Sequence, residues 1–160
     1  MSDFSVRSGL FEDGGTVPMS VAHTWAGGGN RSPDLEWAGA PEGTQSYAVA
    51  MYDPDAPTTV GFVHWLLFNI APTVTSLEEG AGAAGRNPEG SVLGYTDWGV
   101  SEFGGAGPPP GDPPHHYEIT VFALDLPRLD LTEAATYAYF RFSILGHELG
   151  EARIVGRFGR

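Results

Sequence analysis

The chain contains no cysteine and no lysine. Across 160 residues the eight basic side chains are all arginines, against 20 acidic ones, and the formal net charge is −12 at pH 7. Without cysteine there are no disulfides, no thiolate nucleophiles and no Cys-ligated zinc or iron–sulfur sites. Without lysine there is no Schiff-base chemistry and no P-loop lysine for nucleotide phosphates. These absences exclude several enzyme classes.

The shortage of positive charge also limits the expected partners. Nucleic acids bind to a continuous basic surface, and eight scattered arginines do not provide one. The same shortage argues against anionic membrane surfaces. The sequence shows neither a basic, apolar leader at its start nor a run of about 18 apolar residues. We therefore expect no nucleic-acid partner, no stable membrane insertion and a cytoplasmic location.

Glycine and proline are abundant, at 23 and 13 residues. Average usage of the two together is only about 12%. Such frequent interruption divides the chain into short segments, which favours β structure with many turns over a helix bundle. The length and the uniform composition predict a single domain over residues 1–160.

Apolar patterning predicts the strands. Residues 62–70 are almost wholly apolar, which is typical of a central strand covered on both faces. Apolar and polar residues alternate over 116–124, so Tyr117 is predicted on the face opposite to His116. The other predicted strands lie at residues 4–7, 21–25, 35–37, 45–52 and 151–158.

One helix and one long irregular region complete the predicted elements. An alanine-rich stretch predicts a helix over residues 131–145, ended by Gly146. Residues 79–114 are rich in glycine and proline and show few periodic signals. This region is either a functional loop or contains short strands, and whether it closes over a site is left open.

Polar side chains cluster at the predicted strand ends. Asp53 and Asp55 follow a strand within a segment stiffened by two prolines, where the carboxylates either cap the turn or face a site. His64 lies in the apolar strand, where a buried imidazole bonded to the backbone is the alternative to a functional one. Only one of the adjacent residues His115 and His116 can face a given pocket. Such a cluster suits metal binding, acid–base catalysis or anion binding.

Three motifs in order, YDPDAP, GFVHWLLFNI and GPPPGDPPHHYEITVFALD, resemble the phosphatidylethanolamine-binding protein family, above all its compact bacterial branch. The resemblance extends from about Ser32 to the C-terminus. It implies a mostly β fold, a β-sandwich with a large central sheet, Greek-key connections and one C-terminal helix. It also implies a small pocket that binds phosphate and phospho-headgroups such as phosphorylethanolamine.

The resemblance assigns the pocket residue by residue. It places ligand-binding roles on Asp53, Asp55, His64, Gly107, Pro108, His115 and Tyr117. Two positions depart from the family pattern: His116 stands where the family commonly carries arginine, and the cysteine of the bacterial Gly-Pro-Cys motif is absent. Because a fixed positive charge is missing, we expect a zwitterionic or singly charged ligand that binds more tightly as the pH falls.

Three functions remain open on the sequence alone. The favoured hypothesis is a non-catalytic module that binds a small anionic or zwitterionic ligand, with no cofactor and no metal. The second is a kinase-inhibitor-like regulator that binds a protein partner through the rim of the same pocket. The third is a metal-dependent or acid–base hydrolase. A homodimer is also left open.

Overall fold

Two antiparallel sheets form the framework of the computed structural model, which describes residues 3–160. In chain order the strands are β1 (Ser5–Arg7), β2 (Leu35–Ala38), β3 (Ser46–Asp53), β4 (Phe62–Ile70), β5 (Ser76–Leu77), β6 (Val92–Leu93), β7 (His115–Leu124) and β8 (Glu148–Phe158). The helix α1 (Tyr137–Ser143) lies between the last two strands in the chain. The smaller sheet has the order β1-β2-β5.

The larger sheet has Greek-key connectivity. Its order is β6-β4-β3-β7-β8, and every pairing is antiparallel. β4 pairs with β3 and then with β6, after which a long connection returns the chain to place β7 on the other side of β3. The predicted fold class, mostly β with a large central sheet and one helix, is confirmed.

The alternation predicted for β7 separates two buried clusters. The inter-sheet cluster, between the two sheets, includes Tyr117, Ile119 and Val121. The helix-side cluster, on the opposite face of the larger sheet, includes Phe122 and Leu124 and the buried side of α1. Successive residues of β7 therefore serve two different cores, as a strand covered on both faces requires.

The helix is shorter than predicted. It spans Tyr137–Ser143 rather than residues 131–145. The segment before it forms turns, because the Ala135 carbonyl accepts a backbone N–H from a neighbouring loop instead of extending the helix. Thr136 Oγ1 accepts the backbone N–H of Tyr139 (3.2 Å) and caps the first turn.

The strand predicted at residues 21–25 is wrong. The segment contains parts of two 3₁₀ turns, Met19–Val21 and Thr24–Ala26. His23 Nδ1 accepts the backbone N–H of Trp25 (3.0 Å), a local side-chain bond that competes with pairing into a sheet. The turn brings His23 and Trp25 to the wall of the cavity described below.

A β-bulge in β4 decides where His64 points. Met51 of β3 pairs with Trp65, and the next residue, Tyr52, pairs with Val63, so His64 is an extra residue in β4. Trp65 lies in the inter-sheet cluster, and strict alternation would place its neighbour on the opposite face. The bulge instead keeps the His64 imidazole on the side where it lines the cavity.

Candidate ligand-binding pocket

A cavity of about 360 Å³ opens at one end of the larger sheet. Its volume lies within the range of small-molecule sites. The end of β3 and the beginnings of β4 and β7 supply its floor, and loops supply its walls. The polar side chains that line it are His23, Asp53, Thr58, His64, His115 and Tyr117.

Two carboxylates hold the His115 imidazole from opposite sides. Nδ1 lies 2.7 Å from Asp53 Oδ2, and Nε2 lies 2.9 Å from Asp112 Oδ2. Ionised carboxylates only accept, so both ring nitrogens donate and the ring is an imidazolium. Burial acts to lower the pKa of His115, but the hydrogen bonds to the two carboxylates outweigh it and the pKa is raised. His115 therefore carries a positive charge between two negative ones.

Asp53 is buried at the end of β3 with both oxygens engaged. Only 2% of the Asp53 surface is exposed to solvent. Oδ2 accepts from His115, and Oδ1 accepts the backbone N–H of Asp55 (2.8 Å). Burial raises the pKa of Asp53, and the hydrogen bonds from His115 and Asp55 offset only part of that rise. The His115 charge is therefore the main compensation for this buried carboxylate.

His64 presents a lone pair, not a proton, to the cavity. Its Nδ1 lies 2.8 Å and 3.0 Å from the carbonyl oxygens of Gly104 and Gly105, so this nitrogen carries the proton. The indole N–H of Trp98 lies 3.3 Å from the same nitrogen, but two N–H groups do not bond to each other. Burial lowers the pKa of His64 to about 4, so the ring is neutral near pH 7 with its lone pair on Nε2. The interpretation of His64 as a buried, backbone-bonded imidazole is confirmed, and the residue also lines the cavity, while its ligand-binding role stays a prediction.

We expect the His64 ring to titrate near pH 4. Its pKa in the folded protein lies below the ordinary 6.5, so between those values the unfolded chain binds more protons. The stability contributed by the neutral ring is present above pH 6.5 and is lost as the pH falls towards 4. A ¹H–¹³C NMR titration of the imidazoles measures this, with His115 as the internal reference that titrates above its ordinary value. A His64 midpoint near 6.5 would contradict the buried neutral ring.

The Tyr117 hydroxyl is buried without a partner. The residue is 0% exposed, and among the described residues its oxygen has no hydrogen-bond partner. The Gly107 N–H acts to lower the pKa of Tyr117 but lacks hydrogen-bond geometry, and burial, with a smaller effect of Asp53, raises the pKa instead. An unpaired buried hydroxyl costs about 1–3 kcal/mol. Because Tyr117 lines the cavity, a ligand can supply the missing partner.

Aromatic rings form the walls. Trp98 stacks on His23 at a centroid distance of 4.0 Å and meets Phe62 edge-on at 5.0 Å. Burial lowers the pKa of His23, whose Nδ1 accepts from Trp25, so the neutral ring carries its proton on Nε2. A Cβ at Gly107 would lie 2.8 Å from the Trp25 ring, so glycine is needed for the wall to close. Aromatic faces of this kind are favourable surfaces for a cation.

The structure brings together all but one of the predicted site residues. Those that line the cavity are Asp53, His64, Gly107, Pro108, His115 and Tyr117. Asp55 does not line it, because its Oδ2 accepts both the backbone N–H and the side-chain Nδ1 of His116, each at 2.7 Å. Burial acts to raise the pKa of Asp55, but the bonds from His116 prevail and lower it. Asp55 thus orders the turn and holds His116 outside the pocket.

Sequence reasoning missed residues that the fold brings from a distance. The missed residues are His23, Trp25, Phe62, Trp98 and Asp112. Phe62 had a detectable signal, since it lies two residues before His64 in the same strand. Trp98 lies in the irregular 79–114 region, which supplies a wall and also contains β6. Nothing in the sequence pattern indicated that Asp112 turns back onto His115.

The location of the chain is not decided by its helices. Over residues 3–160, none of the helices has the length and apolar character needed to cross a bilayer. The cytoplasmic location stays a prediction.

Comparison with known proteins agrees with the motifs. The family model described as phosphatidylethanolamine-binding protein matches residues 7–159. The UPF0098 protein YbcL of Escherichia coli (strain K12) is 42% identical over 157 residues, covering 94% of this chain and 85% of YbcL. The UPF0098 protein YbhB of the same strain is 38% identical over 149 residues, covering 91% of this chain and 94% of YbhB.

A solved structure gives the same result. The crystal structure of E. coli YbcL, presented as a new member of the mammalian PEBP family, matches with a TM-score of 0.96. The sequence identity in that match is 39%, and it covers 99% of both chains. With the fold, the ordered motifs and the family model in agreement, the chain belongs to the phosphatidylethanolamine-binding protein family.

Proposed function

We propose that the cavity binds a small ligand that carries a phosphate group together with an ammonium group, and that binding involves no chemical turnover. The observation that carries the proposal is the buried Tyr117 hydroxyl, which no group among residues 3–160 satisfies and which belongs to a residue that lines the cavity. A native fold rarely leaves such a group unpaired unless a ligand or water completes it. Tyr117 is a neutral donor, suited to a phosphate oxygen.

The neighbouring groups suit a protonated phosphate monoester. His115 supplies the positive charge, and the neutral His23 ring offers an Nε2–H donor from the wall. His64 offers a lone pair, which can accept the proton of a monoanionic phosphate. Donors and one acceptor in the same cavity favour a partly protonated phosphate over a dianion. This arrangement supports tighter binding as the pH falls.

Charge balance favours an ammonium group on the same ligand. The contacting groups Asp53, His115 and Asp112 together carry one negative charge, which opposes a simple anion at short range, whereas the Arg160 guanidinium at the rim, 3.5 Å from the Pro108 carbonyl oxygen, attracts it. In a zwitterion each charged group can meet a protein group of opposite charge, the phosphate near His115 and the ammonium near a carboxylate. The Trp25 ring already attracts a cation within this chain, because the guanidinium carbon of Arg160 lies 4.7 Å from its centroid.

The same geometry argues for binding over catalysis. Both His115 nitrogens donate to carboxylates and offer no lone pair for a general base. His64, with a pKa of about 4, is a weak base near neutrality. The Thr58 hydroxyl is already bonded to the Gly61 carbonyl, and burial raises the pKa of Tyr117. Across residues 3–160, His, Asp and Glu do not come together in groups of three that could hold a metal ion.

Tyr117→Phe tests the proposal through two effects of opposite sign. A hydrogen bond to a charged group contributes about 1.5–3 kcal/mol, so we expect phosphorylethanolamine to bind about ten- to a hundred-fold more weakly. The free energy of unfolding should stay unchanged or rise, because the variant removes an unsatisfied buried group. Calorimetric titration and urea unfolding measure the two effects.

Tyr139→Phe is the matched control for this variant. Tyr139 lies on α1 with 54% of its surface exposed and does not line the cavity. We expect wild-type affinity and wild-type stability in the control. Undiminished binding in Tyr117→Phe would overturn the assignment of the hydroxyl to the ligand.

A further inference from the structure

The only N–H of His115 that could reach a ligand is already occupied. Nδ1 is committed to the buried Asp53, which leaves Nε2 as the outward donor. Asp112 Oδ2 lies 2.9 Å from Nε2, which is the contact an anionic ligand would make. An internal carboxylate thus stands in the anion position next to the cavity.

Asp112 differs from Asp53 in its freedom to leave. Its side chain is 37% exposed, against 3% for that of Asp53. It belongs to a loop whose neighbours Pro110, Gly111 and Pro113 are all exposed. The prolines keep the backbone in place, but rotation about the Asp112 side-chain bonds alone moves the carboxylate towards solvent.

We propose that Asp112 is a tethered carboxylate that occupies the anion position of the pocket and restricts it to ligands whose phosphate is accompanied by a cationic group. The inference rests on the proposed function and names the chemistry that the pocket selects. The phosphate displaces Asp112 from His115 Nε2. The displaced carboxylate remains at the rim through its short tether, and there it pairs with the ligand's ammonium group.

Two effects weaken the binding of a phosphate monoester without an amine at this site. It must displace the Asp112 carboxylate, and it then remains near an unpaired negative charge. An aminated phosphate meets only the first of these costs, because its ammonium group neutralises the displaced carboxylate. Selection arises here from repulsion of the wrong ligand as much as from attraction of the right one.

Two matched probes isolate the amine: phosphorylethanolamine and ethyl phosphate differ only by the ammonium group. A partly exposed ion pair supports an effect of about two- to five-fold, so we expect the wild-type chain to prefer phosphorylethanolamine by that factor. In Asp112→Asn the preference should fall towards one. The fall should come mainly from tighter binding of ethyl phosphate. Calorimetric titration of both probes against both proteins gives the four affinities.

Asp125→Asn controls for the loss of one negative charge. Asp125 Oδ1 lies 2.8 Å from His147 Nδ1 at the other end of β7, and the Asp125 side chain is 39% exposed, close to the 37% of Asp112. The ten residues of β7 separate the two ends by roughly 30 Å. The control should keep the wild-type preference for phosphorylethanolamine.

The outcomes separate the two proposals. Binding with an unchanged preference in Asp112→Asn overturns the role of Asp112 and leaves the binding function standing. An equal fall of preference in the Asp125→Asn control also overturns it, because the effect would then be one of net charge. The absence of binding by either probe to any of the proteins at millimolar concentration overturns the binding function and the inference together.

Discussion

His115→Ala is expected to abolish measurable binding of phosphorylethanolamine and of inorganic phosphate. The substitution removes the imidazolium at the cavity floor, together with its outward donor Nε2. It also leaves Asp53 buried with no cation beside it, so the local charge becomes wholly repulsive to a phosphate. The measurement is calorimetric titration up to millimolar ligand. Titration like that of the wild type would contradict the assignment of the site.

Loss of binding must be distinguished from loss of the fold. Breaking a buried ion pair on one side destabilises by about 3–5 kcal/mol, so His115→Ala also lowers the free energy of unfolding. The double variant His115→Ala, Asp53→Asn removes the stranded charge and should regain part of that stability without regaining ligand binding. His116→Ala is the neighbouring control. His116 bonds to Asp55 outside the cavity, so this variant should bind like the wild type.

Period-two alternation is the part of the site that sequence could predict. It placed Tyr117 and His116 on opposite faces of the strand, and the structure confirms this, with Tyr117 buried and His116 exposed. His64 was beyond this reasoning, because a bulge breaks the alternation at that residue. Its assignment came from the family resemblance alone. A bulge depends on how two strands pair, and a single strand's pattern does not contain that information.

Local hydrogen bonds explain the remaining errors. The helix begins six residues later than predicted because the Ala135 carbonyl bonds to another loop, which apolar periodicity does not register. The predicted strand at 21–25 is replaced by turns, because the His23 side chain accepts the backbone N–H of Trp25, two residues further along the chain. In both cases a hydrogen bond to a side chain or to another loop takes a backbone group that the regular element would have used.

The acidic composition and the pocket act at different ranges. A net charge of −12 disfavours polyanions and anionic surfaces, whose binding depends on the long-range field. A single small phosphate would need only short-range donors, and the field of distant carboxylates is screened within about 10 Å at ordinary ionic strength. The same composition therefore permits a phosphate pocket while it predicts no nucleic-acid partner. Of the two carboxylates in contact with His115, Asp112 is the one that the proposed selection depends on, because it contacts the outward nitrogen Nε2.

Phe140→Ala is expected to cause the largest loss of stability without changing the pocket. Phe140 is 0% exposed and is the buried residue of α1. Its ring packs against those of Phe68 and Phe122, with centroid separations of 6.1 Å and 5.5 Å. Truncation of a buried phenylalanine costs about 3–5 kcal/mol, a large share of the 5–15 kcal/mol that is typical of a domain. Urea unfolding measures the change. A loss below about 1 kcal/mol would show that Phe140 does not anchor the helix.

Phe142→Ala is the control within the same helix, because Phe142 is 69% exposed and its truncation should change stability by less than about 0.5 kcal/mol. The affinity of the folded Phe140→Ala protein for phosphorylethanolamine should equal that of the wild type. The reason is the layering of the fold: Phe140 belongs to the helix-side cluster, whereas Tyr117 belongs to the inter-sheet cluster. Reduced affinity per folded molecule would mean that the loss of packing in the helix-side cluster displaces residues of the inter-sheet cluster. Such a displacement could pass through β7, whose successive residues belong to the two clusters in turn. Equal affinity would mean that the pairing of β3, β4 and β7 alone is enough to hold the pocket in register.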